Sequence, residues 1–294
     1  MIKQTITFQN KASLSLRNNQ MVIQVEGMDS PVYRAIEDIG VVIIENQMVK
    51  ITIPLLNALV DNNVVVVFCN KDLMPSSMLW SLNANTTLQE SYRFQVEASI
   101  SIKNSVWKQL VESKIKNQAR LLNLLDKDGN ILKPYYSNVK SGDSDNREGI
   151  AARIYWQTVF GKDFIRKRDG DKPNGLLNYG YTILRAATTR AILGSGLFPA
   201  FGVFHKSRYN AFPLADDIME PYRPFVDKIV CKMINNNTLD LTKESKLLLQ
   251  SVLSCDVKIG KYTHPLESAL RLTTASLVKY LKKDISKLVL PELI

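Results

Sequence analysis

The stretch that divides this chain in two is residues 99–125, S-I-S-I-K-N-S-V-W-K-Q-L-V-E-S-K-I-K-N-Q-A-R-L-L-N-L-L. From Ile102 onward its apolar residues recur at helical spacing, with lysine and glutamine on the other face, which is the mark of an amphipathic helix. Upstream the pattern is different. Residues 5–8, 13–17, 21–25, 41–44 and 49–53 are short β-branched runs separated by polar turns such as Asn18-Asn19 and Glu45-Asn46-Gln47, as expected of strands. Pro54 opens a short helical stretch over 55–61, and 64–69 is a fully apolar strand. Downstream, residues 126–145 are polar and turn-rich, and helical periodicity returns over 147–160, 176–193, 243–253 and 266–281. The chain therefore reads as α+β, a β-rich unit over residues 1–95 followed by a helical unit over 96–294.

A chain of 294 residues with 45% hydrophobic content can build a full core, and its length suits two domains or one large one. Residues 1–8 alternate rather than forming a basic stretch and an apolar signal core. No apolar run approaches membrane-spanning length, so a cytosolic protein without a membrane partner is expected. Cys69, Cys231 and Cys255 lie far apart, which argues against both a disulfide framework and a zinc site and leaves buried, reduced thiols. The excess of 38 lysines and arginines over 28 acids, a net charge of +10, points toward a polyanionic partner.

Chemistry concentrates in residues 205–224, H-K-S-R-Y-N-A-F-P-L-A-D-D-I-M-E-P-Y-R-P. One imidazole, three carboxylates (Asp216, Asp217, Glu220) and basic side chains share this segment. Asp217 and Glu220, three apart, would share a helix face. Crowded carboxylates repel unless a cation sits between them, and a divalent metal beside basic groups suggests work on phosphates. The same acids also read as solvated residues, with Glu220 just before a helix opened by Pro221. Glu148 opens another helix in D-N-R-E-G at 145–149, where Asp145 and Glu148 resemble a capping box. Gly149 at that point suggests close approach of another backbone or a ligand. The glycine-punctuated loop 194–205 would deliver His205 to a fixed place. Basic side chains recur at Arg166-Lys167-Arg168 with Lys172, at Lys114, Lys116 and Arg120, and at Lys282, Lys283 and Lys287, so a nucleic-acid surface is plausible on the helical unit.

The strings R-E-G at 147–149, N-G-L-L-N-Y-G-Y at 174–181, G-L-F-P-A-F-G-V-F-H at 196–205 and D-I-M-E-P-Y-R-P at 217–224 resemble the CRISPR spacer-acquisition integrase, the catalytic Cas-one subunit of the adaptation complex. Length and the wording E-P-Y-R-P most resemble the type II versions. The resemblance implies a small β-sandwich-like N-terminal domain used for dimerisation and a larger all-helical catalytic domain. It implies that Glu148, His205 and Glu220 hold Mg2+ or Mn2+ and that Asp217 is an additional acid near the metal. Glu220 stands where many members carry aspartate. The implied reaction is insertion of new spacer DNA into a CRISPR array by transesterification, as part of antiviral defence. The implied partners are double-stranded DNA (prespacer and CRISPR repeat), a second copy of the chain, and a small dimeric Cas-two protein bridging two dimers. Other type II CRISPR proteins join them as candidates. Arg166, Lys167, Arg168, Lys206, Arg208 and Arg223 are the expected DNA contacts.

The residues agree with such chemistry. Two glutamates and a histidine form a mixed oxygen and nitrogen set suited to magnesium or manganese, and no serine–histidine–acid or cysteine–histidine set stands out. Two other readings use the same residues: a metal-dependent DNA endonuclease with water as nucleophile, and a non-catalytic DNA-binding assembly protein. The first third carries no chemistry of its own. Strands that look exposed, such as 21–25, and apolar runs such as 41–44, suggest edges covered by a second subunit.

Overall fold

The computed structural model describes residues 3–71, 75–79, 81, 88–167, 170 and 172–294. The chain divides into two compact units, residues 1–86 and 87–294. The first unit holds β1 (Gln4–Phe8), β2 (Ala12–Arg17), β3 (Gln20–Val25), β4 (Val32–Ala35), β5 (Ile39–Ile44), β6 (Lys50–Ile51), α1 (Ile53–Asp61), β7 (Val65–Cys69) and β8 (Pro75–Leu79). One sheet has the order β1-β5-β7-β8 and the other β4-β3-β2-β6. In the first, β5 lies parallel to both β1 and β7, and all six of its residues are buried. A strand covered on both faces reads as a continuous apolar run rather than an alternation, which is why I-G-V-V-I-I shows no period. In the second sheet β3 alternates, burying Met21 and Ile23. Both sheets contribute to one core: Leu14 and Met21 pack with Val42, Ile44 and Val66, alongside Leu55 and Leu59 of α1. This is the sandwich-like arrangement expected.

Two expectations change here. Residues 21–25 are not an open edge, because β3 pairs with β2 on one side and β4 on the other. Residues 41–44 are likewise interior. The outer strands are β1 and β8 in one sheet and β4 and β6 in the other. The expected strand over 49–53 is cut to Lys50–Ile51, because Pro54 sits in the first turn of α1, where its missing N–H costs nothing.

The second unit begins earlier than residue 96. It contains α2 (Leu88–Glu97), α3 (Ile100–Leu124), α4 (Lys133–Tyr136), α5 (Arg147–Phe160), α6 (Asn174–Gly194), α7 (Pro213–Met219), α8 (Arg223–Asn235), α9 (Lys243–Gln250) and α10 (Leu266–Leu281). Gln95 ties α2 to this unit, since its amide donates to the carbonyls of Phe198 and Phe201 and accepts from the Phe198 N–H. The unit is not all-helical. A hairpin of β9 (Asp256–Ile259) and β10 (Tyr262–Pro265) precedes α10. The long α3 is the spine, packing against α5, α8 and the 3-10 turn Glu220–Tyr222.

Candidate active site

Three pieces of chain meet around α3. Lys114 comes from α3, Glu148 from the first turn of α5, Glu220 from the 3-10 turn after α7, and His205 from the loop between α6 and α7. Lys114 is buried although it is a lysine. Its position explains this: it lies four residues after Leu110 and seven before Leu121, on the apolar stripe of α3. Its ammonium hydrogen-bonds Glu148 and lies 2.6 Å from Oε2 of Glu220. Burial opposes the charge on Lys114, but the two glutamates outweigh it and hold the pKa above its ordinary value. Glu220 shows the converse balance. Burial would raise its pKa, yet Arg223 (Nε to Oε1, 2.8 Å) and Lys114 pull it down to about 2. Asn117, one turn along α3, donates to the carbonyl of Pro221 at 2.8 Å and so fixes the backbone that carries Glu220.

Glu148 is not part of a cap. Asn146, in the left-handed region at φ 52°, caps α5 by accepting from the Gly149 N–H. Asp143 accepts from the N–H groups of Arg147 and Glu148. With those donors satisfied, the Glu148 carboxylate is free to face Lys114. Gly149 is explained by the cap and not by a ligand: a Cβ there would lie 2.7 Å from the Asn146 side-chain oxygen.

His205 is held by Asp217. Oδ1 of Asp217 meets Nδ1 of His205 at 2.6 Å and accepts from its backbone N–H, while Oδ2 accepts from the N–H groups of Val203 and Phe204. Both oxygens of this fully buried carboxylate are spent on the loop, so Asp217 orients the imidazole from behind instead of standing free as a metal ligand. That hydrogen bond is the chief cause of a raised His205 pKa, to which the charges of Asp217, Glu220 and Asp216 add against the effect of burial. Gly202 is required for the same contact, because a Cβ there would lie 2.9 Å from the His205 carbonyl oxygen and 3.0 Å from Oδ2 of Asp217. Phe204 stacks on Trp107 of α3 with centroids 4.1 Å apart. Asp216, the neighbouring acid, is not solvated either. It takes a two-point ion pair from Arg185 at 2.6 and 2.5 Å and a bond from Asn210 at 2.7 Å, which anchors the far end of the loop.

Glu148, Glu220, Lys114, Gln118, Arg166 and Arg223 line a pocket of about 270 Å³. Asp227 and Tyr181 complete its far wall. Asp227 accepts from the hydroxyls of Tyr155 (2.8 Å) and Tyr181 (2.5 Å), joining α5, α6 and α8. Burial raises its pKa from 3.8 to about 6, although the tyrosines, Arg223 and Arg166 act to lower it. Between those values the unfolded chain loses a proton that the folded chain keeps, so the stability owed to Asp227 is present at low pH and lost as pH rises through about 6. An Asp227→Asn protein is therefore expected to gain on the wild type by about 2 kcal/mol between pH 4 and 7. Urea unfolding at both pH values reads this, and a difference that does not vary with pH would refute it.

The fit of a divalent cation can be judged from the donors. Two carboxylates already converge on one positive charge, and Oε2 of Glu220, although beside Lys114, is buried without a directed hydrogen bond. Hard oxygen donors of this kind suit Mg2+ or Mn2+. Glu148 and Glu220 therefore fit. His205 is coupled to Glu220 through charge, but among the described residues no three His, Cys, Asp or Glu side chains are grouped to hold an ion. The structure thus brings together two of the three expected ligands.

Of the expected DNA contacts, Lys167, Lys206 and Arg208 are exposed. Arg208 also leans over the Tyr209 ring at 4.8 Å. Arg166 is half-buried and bound to Asn174 and Asn178. Arg223 is tied to Glu220 and lies over the Tyr181 ring at 4.5 Å. Arg168 lies outside the described residues. On α3, Lys114 faces the site and Arg120 is paired with Glu292 at 3.1 Å, which leaves Lys116 as the exposed cation of the expected trio. Lys114, expected on a DNA surface, instead lines the pocket beside Gln118, and both are buried. The available signal was a lysine and two amides, Asn117 and Gln118, on an apolar helix stripe.

Paired glutamates, a buried lysine and a carboxylate-held histidine thus sit in a mainly helical unit that follows a two-sheet unit along the chain, and comparison with known proteins supplies the family. Residues 6–254 match the family described as CRISPR associated protein Cas1. The chain is 34% identical to the CRISPR-associated endonuclease Cas1 of Neisseria meningitidis serogroup C, covering 100% of this chain and 97% of that protein. This protein belongs to the Cas1 family. Its fold is also that of a casposase bound to integration product, with a TM-score of 0.80 at 19% identity, covering 98% of this chain and 93% of that one. A Cas6-RT-Cas1–Cas2 complex gives a TM-score of 0.76 at 20% identity over 100% of this chain and 36% of that one. Among the described residues no helix is long and apolar enough to cross a membrane.

Proposed function

We propose that this protein is a metal-dependent DNA integrase that inserts spacer DNA into a CRISPR array. The observation that carries the reading is the convergence of Glu148 and Glu220, from separate elements, on one cation beside a carboxylate-oriented His205. The Neisseria relative is named an endonuclease, and a casposase of the same fold is described with an integration product. With a TtCas1-DNA complex that shares the fold at a TM-score of 0.60, they support DNA as substrate.

In the reaction proposed, a 3′-hydroxyl of the incoming DNA attacks a phosphodiester of the repeat, a new P–O bond forms as the old P–O3′ bond breaks, and the proton given up by the attacking hydroxyl is matched by one taken up by the departing 3′-oxygen. The number of phosphodiesters is unchanged, so no energy source is needed. Mg2+ or Mn2+ held by Glu148 and Glu220, with His205 as a further ligand, would supply Lewis-acid stabilisation of the charge that develops on oxygen. The chain's own groups supply the rest. Asp217 fixes the ring so that Nε2 of His205 is the nitrogen left for the site. Lys206 and Arg208, exposed on the same loop, hold phosphates, and Arg223 keeps Glu220 ionised. The test is an oligonucleotide with free 3′ ends and a repeat-containing duplex. Joined products longer than either strand support integration, whereas cleavage alone supports the endonuclease reading.

Two active sites at a fixed separation are needed to join both ends of one spacer, which a single chain cannot provide. The working form is accordingly a homodimer built largely through residues 1–95, with a small dimeric Cas2 protein spacing two such dimers. The Cas1–Cas2 complex of the same fold supports that partner. Light scattering at micromolar concentration is expected to give about twice 33.2 kDa. A 33.2 kDa species unchanged across concentration and moderate salt would refute the dimer.

A further inference from the structure

Lys114 does more than fill a stripe on α3. Its side chain is 9% exposed, and it is paired at once with Glu148 and Glu220. Together with Arg223 on the other oxygen of Glu220, it balances the two carboxylates with protein charge alone. Two like charges about 4 Å apart repel by about 4 kcal/mol at an effective dielectric constant near 20, which a proton on one carboxylate or a cation between them must relieve; here Lys114 takes that place. Two buried acceptors nevertheless lack a directed hydrogen bond, Oε2 of Glu220 and Oε1 of Gln118. Both residues line the same pocket as Lys114. The ammonium thus neutralises the site without saturating its oxygens.

We propose that Lys114 is a resident counter-cation that competes with the divalent ion for the Glu148–Glu220 pair, keeping the carboxylates together when the ion is absent and setting the affinity with which it binds. This rests on the reading of Glu148 and Glu220 as ion ligands. A divalent ion entering the pocket must take oxygen lone pairs that Lys114 now holds, so the lysine weakens binding by the free energy of its own two ion pairs. The arrangement lets the chain fold and stay ordered without metal, at the expense of affinity for it.

The test uses the full-length protein and Mn2+ alone. Free Mn2+ is followed by electron paramagnetic resonance, and thermal unfolding is recorded with and without the ion. Lys114→Met is expected to melt at lower temperature without metal, to bind Mn2+ at least about tenfold more tightly than wild type, and to gain more on metal addition, as linkage requires. A lysine with a merely structural role would lower the melting temperature and leave Mn2+ affinity equal or weaker, which overturns the proposal. Glu148→Gln separates the two levels of argument. Wild-type Mn2+ binding that is lost in Glu148→Gln but unchanged in Lys114→Met sinks the competition alone. Binding absent from wild type and Lys114→Met alike sinks the ion reading as well. Should Lys114→Met fail to fold, the ammonium signal of Lys114 in nitrogen-15-labelled wild type, assigned with Lys114→Arg, is expected to shift as Mg2+ is added. An unmoved signal overturns the proposal.

Discussion

Alanine at Glu148 is expected to cut strand transfer by at least about 1,000-fold while leaving the protein folded. The magnitude follows from its role. Electrostatic stabilisation at a reacting phosphate is worth several kcal/mol, and about 4 kcal/mol corresponds to a thousandfold in rate. The Glu148 side chain is 28% exposed and its backbone N–H bonds to Asp143, so the α5 terminus survives the change. Glu220→Ala should match the loss of activity but not the retention of fold. Its carboxylate is 7% exposed and balances both Lys114 and Arg223, and removing one member of a buried ion pair costs about 3–5 kcal/mol. His205→Ala should lose activity with little loss of stability, since the loop stays pinned by Asp217 accepting from the Val203 and Phe204 N–H groups. Circular dichroism melts beside the oligonucleotide assay separate these cases. A folded Glu148→Ala protein that joins DNA within tenfold of the wild-type rate would remove the paired glutamates from the chemistry.

DNA affinity should be the next largest response, and salt is the variable that exposes it. The exposed cations on the site unit include Lys116, Lys167, Lys206 and Arg208. If about five phosphates are neutralised, the slope of log affinity on log salt is about −4.5 for duplex DNA, a loss of roughly 500-fold between 50 and 200 mM. Replacing Lys206 by alanine should reduce that slope by about one and weaken binding equally across sequences, because phosphate contacts carry no base information. Arg223→Ala should behave differently, since its guanidinium is spent on Glu220: it should damage the site more than the slope. Fluorescence anisotropy across a salt series makes the measurement. A flat response would mean that the net charge of +10 is not a DNA surface.

The sequence by itself determined what depends on local periodicity and composition. The α+β division was legible because strand and helix differ in period, and α5 and α10 run over the residues their apolar spacing marks. Glu148, His205 and Glu220 could be singled out because unusual residue types gather in short strings. What each residue does is settled by partners far away in the chain. Lys114 looks like one more helix lysine until α5 and the 220–222 turn close over it, from 34 and 106 residues away. Asp217 looks like one more acid near a metal until its oxygens are seen to be spent on the loop that carries His205. Residues 21–25 look like an edge until β2 and β4 flank them. The capping residue of α5 is Asn146, which sequence spacing could not separate from Asp145 because the choice turns on a left-handed backbone angle. Burial is the common reason. It raises the pKa of Asp227 and opposes the charges of Glu220 and Lys114, which stay ionised because packing sets Arg223 and Lys114 against Glu220 and both glutamates against Lys114, and only the packed chain decides which groups lose their water.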